Sequence, residues 1–134
     1  MRILVLVSEP ISGEVIKSAV GKDVAENAEV LVIAPALNSR LRFWVSDPDA
    51  AIERAEEVAQ ESVERMDEEG IDAAGGTGES DPLQAIEDSL VTFHADEIVL
   101  CTHRGGRRNW LEDGVVGDAR ERFIDRPVRH LEIE

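Results

Sequence analysis

The chain opens on Arg2-Ile-Leu-Val-Leu-Val7, a continuous apolar run rich in branched side chains and bounded by polar residues. That pattern belongs to a strand buried on both faces. From Ile11 to about Ala25 the period changes: Val15, Ile16, Ala19, Val20 and Val24 recur at three- and four-residue steps, which predicts one helix with a single buried stripe. Glu29 to Ala34 returns to the strand pattern, and Leu37 to Ser46 reads as a loop carrying Leu41, Phe43 and Trp44. Asp47-Pro48 has the form of a helix cap followed by a first-turn proline, whose missing N–H costs nothing there. From that start Ile52, Ala55, Val58, Ala59, Val63 and Met66 carry one stripe to about Asp67, and Gly70 stands where a stop belongs.

Ile71 to Thr77 is a weaker third strand, because alanines and paired glycines give it little to pack and suit a sheet edge. Asp81-Pro82 repeats the cap-and-proline start, and Leu83, Ile86, Leu90 and Phe93 mark a helix to about His94. Glu97-Ile-Val-Leu-Cys101 is a second strand buried on two faces. Val115, Val116, Ala119 and Phe123 suit a helix ending before Pro127, and Val128 to Ile133 alternates as a last strand. Strands and helices alternating at this spacing call for an α/β fold of three layers, a mainly parallel five-stranded sheet with helices on both faces. In such sheets ligands bind beyond the carboxyl ends of the strands, where the strand order reverses. The loops after Val7, Ala34 and Cys101 are the places to look.

Length and composition narrow the class. The 134 residues, 43% apolar and 32% charged, suit a single globular domain over 1–134 and exclude collagen-like, disordered or membrane-spanning composition. The apolar run after Arg2 is too short for a signal peptide or a spanning helix, so a cytoplasmic protein is expected, without membrane association. Cys101 is the single cysteine and staples nothing. The net charge is −15, a field that repels polyphosphate backbones and argues against nucleic-acid binding. Residues 1–99 hold 22 acids and 7 bases, whereas residues 100–134 hold 7 of each. The imbalance is all upstream, and Arg104, Arg107 and Arg108 form a cationic spot on an anionic molecule.

That spot lies in Thr102-His103-Arg104-Gly105-Gly106-Arg107-Arg108-Asn109-Trp110, between a buried strand and a helix. Backbone donors and guanidinium forks there could converge on an anion, a phosphate being the natural candidate, and the glycines allow close approach. The plainer alternative is a glycine turn whose arginines pair the surplus acids.

On Ile3-Leu-Val-Leu-Val7, Ser80-Asp-Pro-Leu-Gln-Ala-Ile86, Ala95-Asp-Glu-Ile-Val-Leu100 and Arg126-Pro-Val128, spread over nearly the whole chain, the sequence resembles the universal stress protein family. The resemblance implies an α/β sheet of strand order 3-2-1-4-5 and a site at the mouth between the first and fourth strands. It also implies ATP or another adenine nucleotide as the cofactor class, a role in stress response or signalling, and a homodimer through the last strand, Val128–Ile133. It would set an adenine against the backbone near Ile33 and Ala34, with Thr102 to Asn109 around the phosphates. Two departures stand out. ATP-binding members carry Gly-x-x-Gly, nine residues, then Gly-Ser or Gly-Thr after the fourth strand; the matching positions here are Cys101, Arg104, Gly114 and Val115, of which only Gly114 fits. Where those members have Asp-Gly-Ser after the first strand, this chain has Ser8-Glu9-Pro10, leaving Ser8 or Glu9 to act with a different geometry.

Other chemistries find less support. Cys101-x-His103 is only half a metal site, and His94 and His130 read as a helix-end and a strand residue. No Gly-x-Ser-x-Gly elbow or Gly-x-x-x-x-Gly-Lys loop occurs, so no catalytic residues or metal ligands are assigned. Gly75-Gly-Thr-Gly78, flanked by Glu79 and Asp81, reads as a strand-to-helix turn rather than a phosphate loop. The acids from Glu56 to Glu69 read as a solvated face. Two functional expectations remain, from different classes: a sensor binding a small phosphorylated ligand or nucleotide, and a dimeric interaction protein whose pocket is filled by its own side chains. A weak nucleotide hydrolase is third.

Overall fold

The run from Arg2 forms the central strand β1 (Arg2–Leu6), whose odd and even residues are buried on opposite faces, as a strand with no polar side chain between Ile3 and Val7 requires. The computed structural model describes residues 1–35, 48–78, 81–103 and 115–133. After β1 come α1 (Gly13–Val20), α2 (Lys22–Asn27), β2 (Glu29–Pro35), α3 (Pro48–Glu68), β3 (Asp72–Gly78), α4 (Pro82–Thr92), β4 (Glu97–His103), α5 (Val115–Arg122) and β5 (Val128–Ile133). The five strands form one parallel sheet in the order β3-β2-β1-β4-β5, the order that the family resemblance implies.

Two cores follow from the pleat. Ile3, Val5 and Val7 meet Ile16, Ala25, Val58 and Met66 beneath α1, α2 and α3. Leu4, Leu6, Ile98 and Leu100 meet Ile86, Val116, Ala119 and Phe123 beneath α4 and α5. Asp81 caps α4 as its sequence suggests, its carboxylate accepting from Leu83 N at 3.0 Å with Pro82 in the first turn. Gly70, at φ +80°, ends α3. No described helix is long and apolar enough to cross a membrane.

Three expectations are corrected. The single helix expected over 11–25 is two, broken at Gly21, whose φ of +94° and ψ of 149° lie outside helical space. The apolar period runs across that break, so it gives no sign of it. Gly75 to Gly78 belongs to β3, paired with β2 through Pro35↔Gly78, and is no turn: Gly75 is needed because a Cβ there would meet Val63 Cγ2 at 2.9 Å and Ala59 O at 3.3 Å on α3. Val24 and Ile52, placed on buried stripes, are exposed. The segment Leu37–Ser46 with Phe43 and Trp44, the cap at Asp47, and Glu79 lie outside the described residues.

Candidate functional site

The strand order reverses between β1 and β4: the chain steps outward from β1 to β2 and β3 on one side, then crosses to β4 and β5 on the other. The helices that follow them, α1 after β1 and α5 after β4, cover opposite faces of the sheet, and the carboxyl ends at such a reversal are where open parallel sheets bind ligands. Val7 N donates to Ile33 O at 3.1 Å, prolonging the β1–β2 ladder past Leu6. Leu6 is level with Ile33 and Leu100, so Ile33 and Ala34 of β2 and Thr102 and the backbone of His103 of β4 lie towards the carboxyl ends of the two strands that flank β1, and Ser8 and Glu9 follow β1 in sequence. Arg104, Gly105, Gly106, Arg107, Arg108, Asn109 and Gly114, the cationic part of the expected site, lie outside the described residues.

Several of these groups already have protein partners. Ile33 and Ala34 are buried, and the Ile33 carbonyl is taken by Val7. Glu9 turns away from the sheet to α3, where Arg54 Nη2 reaches its Oε2 at 2.8 Å. Thr102 is buried, its hydroxyl hydrogen-bonded to His130 Nε2 at 2.7 Å and 3.5 Å from Leu131 O on β5. The Ser8 backbone follows in a loop held from below: Ile11 N donates to the fully buried Ser62 Oγ at 3.1 Å. Glu9–Arg54 and Ile11–Ser62 tie the β1–α1 loop to α3 at positions two helical turns apart, so this loop is fixed by packing before any ligand arrives.

Cys101 has no reactive role in this setting. Burial pushes its thiol up to about 12, so at neutral pH it is a protonated apolar group and neither nucleophile nor ligand. The described residues hold no group of three His, Cys, Asp or Glu side chains placed to bind a metal. His94 is exposed just past α4, while His130 supports Thr102 from β5. Arg54 and Ser62 escape the sequence reading. The signal for Arg54 is its isolation, since it shares α3 only with Arg65 as a base among many acids; Ser62 falls on the buried stripe itself, three and four residues from Ala59, Val58 and Met66, and that spacing is the signal for its burial.

No protein-family model matches the sequence, and no curated protein is similar to it. Solved structures are similar over almost its whole length. A universal stress protein from Archaeoglobus fulgidus superposes with a TM-score of 0.65 at 19% identity, covering 97% of each chain. A universal stress protein family protein from Arabidopsis thaliana, solved with AMP bound, gives 0.65 at 12% identity over 100% of this chain and 92% of its own. This chain has the universal stress protein fold. A universal stress protein in complex with cAMP is also similar, with a TM-score of 0.56 at 14% identity over 100% of this chain and 97% of its own. In this chain the loop after β1 is Ser8-Glu9-Pro10, with the Glu9 carboxylate drawn onto α3.

Proposed function

We propose that this protein binds a small phosphorylated ligand, an adenine nucleotide first among them, in the crevice between β1 and β4, and acts as a binding module in stress response or signalling rather than as a catalyst. The observation that carries the reading is the reversal of strand order between β1 and β4, and the site would be built from Ser8, Ile33, Ala34 and Thr102 at the carboxyl ends of the strands there. AMP and cAMP in the similar structures support the ligand class. The base would lie against the Ile33–Ala34 backbone and the phosphates would meet the segment from Thr102 to Asn109, with Arg107 and Arg108 as the clamp. Residues 1–134 act as one domain in this reading, in the cytoplasm, as a homodimer joined through the outer edge of β5.

A second reading draws on the partners already in place. Glu9 is engaged by Arg54 and Thr102 by His130, which suits an interaction protein whose pocket is closed by its own side chains. Titration calorimetry with AMP, ADP, ATP and cAMP separates the two, with native mass spectrometry of freshly purified protein beside it. Saturable binding of at least one nucleotide is expected, weakened several-fold or more in the Arg107→Ala, Arg108→Ala double variant with the melting temperature of the empty protein unchanged. Absence of binding at millimolar concentration would give the second reading the field, and equal affinity in the double variant would discard the arginine clamp.

A further inference from the structure

Strand β3 is an outer strand of the sheet, and among the described residues no other strand covers its edge. It pairs with β2 in an unbroken register from Glu29↔Asp72 to Pro35↔Gly78. Exposed edges are ordinarily guarded by lysine, proline, a bulge or an inward charge. From Ala73 to Gly78 the sequence is Ala-Ala-Gly-Gly-Thr-Gly, which offers none of these and no side chain larger than threonine. Every second N–H and C=O along it faces outward, where a strand could take them up.

A groove of about 590 Å³ runs beside this edge, lined by Gly75, Gly76 and Thr77 on one side and by Glu56, Glu57 and Gln60 of α3 on the other. Gly75 brings the wall close, because α3 packs where its side chain would be. Glu56 has no ion-pair partner among the described residues, Glu57 has only Arg54 at 3.9 Å, and Gln60 bonds Glu64 on its own helix. Among the described residues the wall is therefore acidic and largely uncompensated.

We infer that β3 is a strand-addition site for an extended segment of another protein with Lys or Arg at alternate positions. Main-chain hydrogen bonds to the edge would supply the attachment, and the side chains on the α3 side, roughly 7 Å apart, would meet Glu56 and Glu57. A second copy of this chain suits the edge poorly. Two-fold pairing of β3 with itself would set two α3 helices side by side on one face, bringing both acidic walls together on molecules of net charge −15. The same charge that keeps copies apart draws in a basic strand.

The test uses the full chain and an end-blocked octapeptide of alternating lysine and valine. Saturable binding by fluorescence anisotropy is expected, with new hydrogen-exchange protection confined to amides of residues 72–78. Methylating the backbone nitrogens along one edge of the peptide removes its ladder bonds and should weaken it about tenfold or more. Replacing its lysines by glutamates should abolish binding. The Glu56→Gln, Glu57→Gln variant, altered at the surface of α3 and unchanged by circular dichroism, should bind the lysine peptide about fivefold more weakly. The inference is overturned by any of four results: no binding at millimolar peptide, full affinity of the methylated peptide, protection elsewhere in the chain, or self-association of the protein that protects β3 without peptide.

Discussion

Ser62 is a hydroxyl with no exposure in the middle of α3, and its one described bond receives the Ile11 amide. Removing the oxygen leaves that amide buried without a partner, which costs more than the bond itself contributes. Ser62→Ala is expected to lower unfolding free energy by about 1–3 kcal/mol, measured by urea denaturation, and to raise hydrogen exchange in the β1–α1 loop; an unchanged midpoint would mean that water or a backbone shift replaces the hydroxyl. Cys101 gives a prediction in pH. Its thiol is held near 12 in the folded chain against 9.0 for the ordinary group, so between those values the unfolded state releases a proton that the folded state keeps. Stability is thus lost as pH rises from about 9 towards 12, with a slope of up to about 1.4 kcal/mol per pH unit from this group. The Cys101→Ala variant should lack that component, and wild-type Cys101 should react with iodoacetamide only as fast as the chain opens. The burial behind both effects was legible, since Cys101 ends a run apolar on two faces and Ser62 falls on the apolar stripe of α3. The partners were not: Ser62 meets the Ile11 amide 51 positions away, and Glu9 meets Arg54 45 positions away.

Among elements, those decided by their own side chains were readable and those decided by one backbone angle or by a neighbour were not. β1 and β4 are apolar on both pleat faces, which leaves a central position as the only one that buries them; α4 carries its own cap and proline. The α1–α2 break hangs on Gly21, whose φ of +94° with extended ψ is open essentially to glycine alone. No atom beyond its chain neighbours lies within 4 Å of a Cβ placed there, so Gly21→Ala isolates backbone strain from packing. A loss of about 1–3 kcal/mol is expected, with the crystal structure of the variant showing either the strained angle or a straightened helix. At the far side of the sheet, Glu97 is buried at the start of β4 and meets Arg129 Nε of β5 at 2.8 Å. Arg129 is half exposed, so water screens part of the pair. Arg129→Ala should cost about 1–3 kcal/mol, chiefly because a buried carboxylate is left alone. Adding Glu97→Gln should then recover part of the loss. A double-mutant cycle in which the two losses simply add would mean that the ion pair does not hold β5 in place.

For the whole molecule the decisive quantity is the net charge of −15, from 29 acidic and 14 basic residues. The described ion pairs between elements are mostly exposed on both sides, as with Arg2–Glu29, Arg54–Glu9 and Arg122–Glu87, and such pairs contribute roughly 0–1 kcal/mol each. Against them stands the mutual repulsion of the surplus acids, which the folded chain concentrates and the expanded unfolded chain relieves. Salt weakens both, but unequally. Contact pairs at about 3 Å keep part of their attraction at any ionic strength, whereas repulsion across the surface disappears once the screening length falls from about 30 Å at 0.01 M to about 3 Å at 1 M. Stability should therefore rise with sodium chloride over that range, and at roughly 4 °C per kcal/mol for a chain of this size the melting temperature should climb by several degrees. A melting temperature that falls instead would show that the ion pairs outweigh the repulsion. The Glu56→Gln, Glu57→Gln variant sharpens the comparison: with two fewer charges on α3, it should be more stable than the wild type at 0.01 M and lose most of that advantage at 1 M.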